Sequence, residues 1–362
     1  MSTPRKYQLV GLDIGSHSVK LVEIEHGKRG RVLKNLGIIG IPHESIVEGN
    51  IREMQVVASA IKKLFKGLKV KNKKVATSIS GYSVIVKKIS IPRKEEGDLE
   101  KSIHEEAEQF IPFDINEVNL DFDILTSDDD LLQEDEGSKG DSRMDVILVA
   151  AKKSIVEEYM SLLELAGLTP FVLDVDAFAL ENALEMGQAD PFEEGCVALA
   201  HVGAEELIIN VINRGASIFT RDSNYGGSQI NQAIMGSLDV TYEEAERIKL
   251  GGLPLGDQEA TVREIFASTV RSWVQEIRRA LDFVASTYPD LTIDKILVSG
   301  GSCRIPGFME YLADETDLEV SEFNPFKDII VDEKQFDLKY LKYIGPQAAV
   351  AVGLALRSVG DK

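Results

Sequence analysis

The segment around Gly15 recurs around Gly203. Gly15 and Gly203, Val19 and Leu207, Leu21 and Ile209, Ile24 and Ile212, and Gly27 and Gly215 all fall on one offset of 188 residues. Each copy reads as strand, glycine turn, strand, glycine turn, strand. In the first, YQLVGLDIG, SVKLVEIEHG and RVLKNLGIIGIP alternate apolar and polar residues, the period of a half-buried strand. In the second, VALAHVG, ELIINVINRG and SIFTRD do the same. An offset this long is not that of a solenoid, whose repeats run to 20–50 residues. It predicts two related α/β domains, each opening with a β-meander.

The rest of the chain fits around those meanders. The first domain takes residues 1–74 and 169–194, with a helix from about Met54 to Leu68. That helix runs into seven lysines between Lys62 and Lys74, which suit a solvated helix C-terminus, with a role facing anionic lipid as the alternative reading. Strands and helices over 75–168 read as an inserted α+β subdomain. The acidic stretch within it, 128–141, reads as a flexible connection with no assigned role. The second domain spans 195–340 and carries helices at about 227–237, 241–250 and 257–288. A helix of small residues within 341–362, IGPQAAVAVGLALRS, is suited to packing between the domains.

Charge and cysteine content narrow the function. Sixty acids against forty bases leave a net charge of −20, which argues against phosphate-neutralising nucleic-acid binding. Cys196 and Cys303 have neither zinc nor disulfide spacing and read as small buried hydrophobes. His26, His43 and His104 lack the spacing of metal ligands, and Glu105, Glu106 and Glu108 read as a solvated helix face. No secretory h-region and no membrane-spanning apolar run is seen, so a cytoplasmic protein is expected.

Four glycine turns stand at strand or helix ends. GLDIGSHS places Asp13 at a strand end and Gly15-Ser16 in the turn, where backbone N–H groups make an anion nest. Asp13 would repel phosphate directly, so it suits a Mg²⁺ ion held through water. HVG, with Gly203, is the equivalent turn of the second copy. Gly226-Gly227 stands at a helix N-terminus, which favours anions. Gly300-Gly301 follows a strand. Together they describe a nucleotide held between two like domains.

The order DIGSHSVKLVE, VLDVDAFALENA, HVG, YGG, AERIK, SGGSCRIPG, GPQAAVAVGLAL resembles the actin-like ATPase superfamily. Within it, EEAEQFIPFDINEV and the block at 75–168 resemble the PilM family of type IV pilus assembly proteins. The resemblance implies an actin-like fold of two ribonuclease H-like domains with an inserted subdomain, holding ATP and Mg²⁺ between them. It places Asp13, Gly15, Ser16, His17, Ser18 and Lys20 in the first phosphate turn, with Asp13 as the metal partner. His201, Val202 and Gly203 fall in the second, with Gly226 and Gly227 nearby. Glu246 and Lys249 would meet the ribose or base, and Gly300, Gly301, Ser302 and Arg304 would flank the adenosine. The implied partner is the cytoplasmic N-terminal peptide of PilN, gripped between the first domain and the insertion, which makes the protein peripheral to the inner membrane. Other pilus platform proteins and further copies of the chain are additional candidate partners.

One position departs from the superfamily. His201 stands where the second phosphate turn usually carries Asp. No catalytic residue is assigned, and slow hydrolysis is expected. The alternatives are a cell-division protein resembling FtsA, a type II secretion scaffold, and a small-molecule kinase. The first two usually add an amphipathic or a transmembrane helix. The third needs a carboxylate base near the second turn.

Overall fold

A computed structural model describes residues 8–27, 30–94, 96–125, 143–185 and 195–359. The acidic stretch 128–141 lies outside them. Ten strands fill the first half: β1 (Val10–Ile14), β2 (Ser18–Gly27), β3 (Gly30–Gly40), β4 (Ile46–Val47), β5 (Asn50–Ile51), β6 (Lys74–Ile79), β7 (Val84–Pro92), β8 (Val118–Ile124), β9 (Arg143–Lys152) and β10 (Thr169–Val175). Their helices are α1 (Met54–Gly67), α2 (Glu96–Glu108), α3 (Lys153–Ala166) and α4 (Asp176–Glu185). The second half holds β11 (Cys196–Val202), β12 (Leu207–Asn213), β13 (Ala216–Ser223), β14 (Ile293–Ser299) and β15 (Glu319–Glu322). Its helices are α5 (Gly227–Leu238), α6 (Tyr242–Lys249), α7 (Glu259–Thr287), α8 (Phe308–Thr316) and α9 (Leu338–Leu356).

The duplication is written in the topology. The first sheet runs β10-β6-β1-β2-β3 and the second β15-β14-β11-β12-β13. In each, an antiparallel meander is extended by parallel strands beside its first strand. Matched residues occupy matched places: Val19 pairs with Ile14, and Leu207 with Val202. β1 is buried along its whole length, as befits a central strand covered on both faces. On one face of the sheet α1 packs against β2 and β3, burying Val57, Ala58, Ile61, Leu64 and Phe65 at helical spacing. The cover on the other face is α9, whose Ala348–Ala355 run joins the same core.

That second cover works because of glycine. A Cβ on Gly11 of β1 would sit 2.1 Å from the Ala351 carbonyl of α9. A Cβ on Gly353 of α9 would sit 1.6 Å from the Ala179 carbonyl of α4. Bare backbones therefore touch, and α9 slides between β1 and α4. The Gly300 amide of the second domain donates to the Pro346 carbonyl at 2.8 Å, so α9 also reaches across to the other half, as the sequence suggests.

The structure moves the limits of the insertion inward from 75–168. β6 lies between β1 and β10 in the first sheet. Ile155, Tyr159, Leu162, Leu163 and Ala166 of α3 join the first domain's core. The insertion proper is β7, α2, β8 and β9, a sheet ordered β7-β9-β8 with its own core around Ile89, Leu99, Ile103, Val146 and Leu148. Sequence reading joined these pieces because β6 and β7 are separated only by the turn Gly81–Ser83. No described helix is long and apolar enough to cross a membrane.

Candidate functional site

A cleft of about 400 Å³ opens between the two sheets, a size that suits a nucleotide. It collects the C-terminal ends of β1 and β6, the N-terminus of α4 and the turn after β11. Carboxyl ends of parallel strands are where open α/β sheets place ligands.

The first turn enters the cleft between β1 and β2. Asp13, Gly15, Ser16, His17, Ser18 and Lys20 all line the cleft. The Gly15 amide closes the turn on the Ser18 carbonyl at 3.2 Å. Lys20 pairs with Asp13 at 3.1 Å, because β1 and β2 place them directly opposite one another.

The second turn contributes His201, Gly203, Ala204, Glu205 and Glu206. His201 is buried, and its Nδ1 lies 2.9 Å from the Ser299 hydroxyl. Burial and the nearby Lys20 ammonium push its pKa down to about 3, so the ring is neutral. Val202, Gly226, Gly227 and Gly300 are not on the cleft wall. They pack the turn from behind. A Cβ on Gly226 would meet the Ala204 carbonyl at 2.4 Å, and one on Gly300, whose φ is +89°, would meet the Val202 carbonyl at 2.2 Å. The Gly227 amide donates to the Gly203 carbonyl, as does the Ser302 hydroxyl at 2.8 Å. Three glycine turns are thus stitched into one rigid wall.

Glu246, Lys249, Gly301 and Ser302 line the outer part of the cleft. Burial opposes the charge on Glu246. The Lys249 ammonium at 2.6 Å and the Asn231 amide at 2.6 Å outweigh it, so its pKa falls below the usual carboxylate range. Arg304 is elsewhere. It forms a two-pronged pair with Glu322 at 2.5 Å and donates to the Lys342 and Tyr343 carbonyls. Its guanidinium is occupied as a strut between β15 and α9, while Tyr343 itself reaches the cleft.

Sequence reading missed the acidic floor. Asp176 begins α4 and faces Asp13, and burial and that neighbour push its carboxyl up to about 7. Glu206 and Asp222 cross from the second domain to the turn after β6: Glu206 accepts from the Ser80 hydroxyl at 2.5 Å, and Asp222 from the Gly81 amide at 3.1 Å. Burial raises both carboxyls. Glu205 accepts from the Glu48 amide at 3.1 Å, and His43 stacks on Tyr242 at 3.7 Å. The signal for Asp176 was present, as a carboxylate following the strand VLDV. The cross-domain contacts had none. Both cysteine thiols are raised by burial, to about 11 for Cys196 and about 12 for Cys303, which suits inert core residues.

These shifts have a stability consequence. Asp176 and Glu181, the latter raised to about 8 by burial and Glu185, keep protons in the fold that the unfolded chain loses near pH 4–5. Stability therefore falls as pH rises through their folded values. His201 has the opposite sign, but its contribution is complete above its unfolded pKa of about 6.5. Between pH 6.5 and 8 only the carboxyls act, and the ligand-free protein should lose on the order of 2 kcal/mol. Thermal unfolding across that range measures it. Glu181→Gln should remove about two-thirds of that loss, and an unchanged slope in that variant would place the cause elsewhere.

No side-chain group among the described residues could hold a metal ion by itself. Asp13, paired with Lys20, and Asp176, its carboxyl raised to about 7, bring oxygen ligands to the cleft, which fits a Mg²⁺ carried on phosphate oxygens and held through water better than a protein-only site.

Comparison with known proteins agrees with this fold. A family model described as type IV pilus assembly protein PilM matches residues 11–359. A solved PilM-PilN type IV pilus biogenesis complex is similar at 28% identity and a TM-score of 0.84, covering 96% of this chain and 98% of that one. The ethanolamine utilization protein EutJ of Carboxydothermus hydrogenoformans shares the fold at 20% identity and a TM-score of 0.52, over 99% of this chain and 92% of that one. MreB5 of Spiroplasma citri bound to ADP does so at 10% identity and a TM-score of 0.51, over 97% of this chain and 95% of that one.

Proposed function

Because the chain belongs to the PilM family of type IV pilus assembly proteins, we propose that it is an ATP-binding scaffold of the inner-membrane pilus platform. Its partner is the cytoplasmic N-terminal peptide of PilN. The observation that carries the nucleotide half is the cleft itself, in which two glycine turns of a duplicated frame face each other with Lys20 and Lys249 on its walls. Asp13 would hold Mg²⁺ through water, Glu246 would accept from a ribose hydroxyl, and Gly301 and Ser302 would lie along the adenosine. The metal would neutralise phosphate charge. The protein's own part is to bind, orient and close. An MreB of the same fold is solved with AMPPNP, which supports nucleotide in such a cleft.

The carboxylates of the second domain that reach Ser80 and Gly81 lie at the root of the insertion, since β7 begins at Val84. Closure of the cleft therefore moves the base of the insertion. The PilN peptide would lie in the groove between the first domain and that insertion, and its grip would follow nucleotide state. The solved PilM-PilN complex supports the choice of partner. Family membership favours this reading over an FtsA-like or kinase role.

Calorimetry with the PilN N-terminal peptide tests it. The full chain should bind the peptide, with an affinity that changes when ATP and Mg²⁺ are added. Replacing 84–152 with a short Gly-Ser linker spares β6 and should abolish capture. A shortened protein that folds and still captures the peptide would place the groove elsewhere.

A further inference from the structure

Residues 54–94 contain no Asp or Glu, in a chain whose 362 residues include 60 acids. The same stretch holds eleven Lys and Arg. Those of the insertion are engaged: Lys88 pairs with Asp145, and Lys94 with Glu106. Most of those of the first domain carry no ion pair, although Lys73 lies over the Phe65 ring and Lys74 over Phe171. Lys62, Lys63, Lys66, Lys69, Lys71 and Lys73 are exposed, and none forms an ion pair among the described residues.

The fold gathers them at one edge. The outward face of α1 is Gln55, Val56, Ser59, Lys62, Lys63 and Lys66, and its C-terminus runs through Lys69, Lys71 and Lys73 into β6. This is the N-terminal end of β6, opposite the nucleotide cleft. Phe171 of neighbouring β10 stands there 41% exposed, with the Lys74 ammonium 4.8 Å above its ring. The Thr169 amide donates to the Lys73 carbonyl at 2.8 Å, which ties the two strands at that edge. On neighbouring strands Glu25 is engaged with Lys34 and Glu23 with Asn35, and Glu164, exposed in the last turn of α3, is an acid close to this edge.

Solubility does not require this arrangement. A chain at −20 is kept apart from its copies by its acids, and interspersed charge would serve as well. Concentrating lysines without ion pairs around an exposed aromatic, in a stretch of 41 residues free of acids, matches what anionic headgroups select: ammonium groups at the surface and an amphipathic ring at the interface. We propose that the edge formed by α1 and the 68–74 connection docks on an anionic lipid bilayer, so that the protein meets the membrane directly as well as through a membrane-anchored partner. A nucleic-acid duplex is the less favoured ligand, because the remaining surface is strongly negative and a duplex would follow it further than a flat bilayer does.

Vesicle sedimentation with the full chain and no partner tests this surface separately from the PilN reading. At low salt the protein should pellet with vesicles of phosphatidylcholine and phosphatidylglycerol, and not with phosphatidylcholine alone. Added salt should release it, since screening shortens the range of surface charge. Changing Lys62, Lys63, Lys66, Lys69, Lys71 and Lys73 to Gln should lower partitioning by about tenfold or more. The changes are at exposed positions, and an unaltered melting temperature checks the fold. A tryptophan at Phe171→Trp should shift its emission to the blue only with anionic vesicles, against the constant signal of Trp273, which is fully buried. Absence of pelleting, pelleting that survives the six Gln changes, an unshifted reporter, or tighter binding to duplex DNA than to vesicles would each overturn the proposal.

Discussion

Gly353→Val should leave the first domain unable to assemble. The new Cβ would lie 1.6 Å from the Ala179 carbonyl, a distance no rotamer relieves, because both atoms are fixed by backbone. The helix would have to withdraw from α4, and α9 also covers β1, where Gly11 already brings the strand against the Ala351 carbonyl. The cost should exceed the ~3 kcal/mol typical of an overpacked core that can adapt. Soluble yield and thermal unfolding measure it. Gly236→Ala is the matched control: it sits in α5 with nothing within 4 Å, and should stabilise by about 0.5–1 kcal/mol through helix propensity. A Gly353→Val protein that melts with the parent would mean that α9 does not pack as described.

The meanders, α1 and the small-residue helix were legible because each repeats a short-range pattern. The period of the strands and the spacing of Val57, Ile61, Leu64 and Phe65 need no distant partner to be seen. The limits of the insertion were not legible. Whether β6 belongs to the first sheet or to β7 depends on pairing with Val10, Gly11 and Leu12, more than sixty residues earlier in the chain. The site divides the same way. Asp13, Gly15 and Lys20 sit on one hairpin, so a local pattern brings them together. Glu206 and Asp222 act on Ser80 and Gly81 of the other domain, and no local pattern carries that. Arg304 followed a glycine turn and looked like a ligand. Its claim was lost to Glu322, a neighbour visible only after β14 and β15 pair.

Asp13→Ala should abolish the gain in ATP affinity that Mg²⁺ provides, while leaving metal-free binding intact or improved. Asp13 is 6% exposed and pairs with Lys20. Removing it deletes the group suited to hold a hydrated metal, and it frees the ammonium to meet a phosphate oxygen. Titrations with Mg²⁺ and with a chelator separate the two effects, and the difference between them should shrink by about tenfold or more. His201→Asp should act in the other sense. The wild-type ring is neutral, its pKa pushed down to about 3 by burial and Lys20, so it offers a hydrogen bond but no charge to a metal or a water. A bond made equally to bound ATP and to the transition state does not speed the chemical step. Phosphoryl transfer draws its acceleration from positioning and charge, so a carboxylate at this position should raise both turnover and Mg²⁺ dependence. It would also add an acid to a floor where Asp176 is already raised to about 7, so the gain should be lost in metal-free buffer. Wild-type turnover of tens per second, unchanged by His201→Asp, would mean that the second turn does not limit hydrolysis.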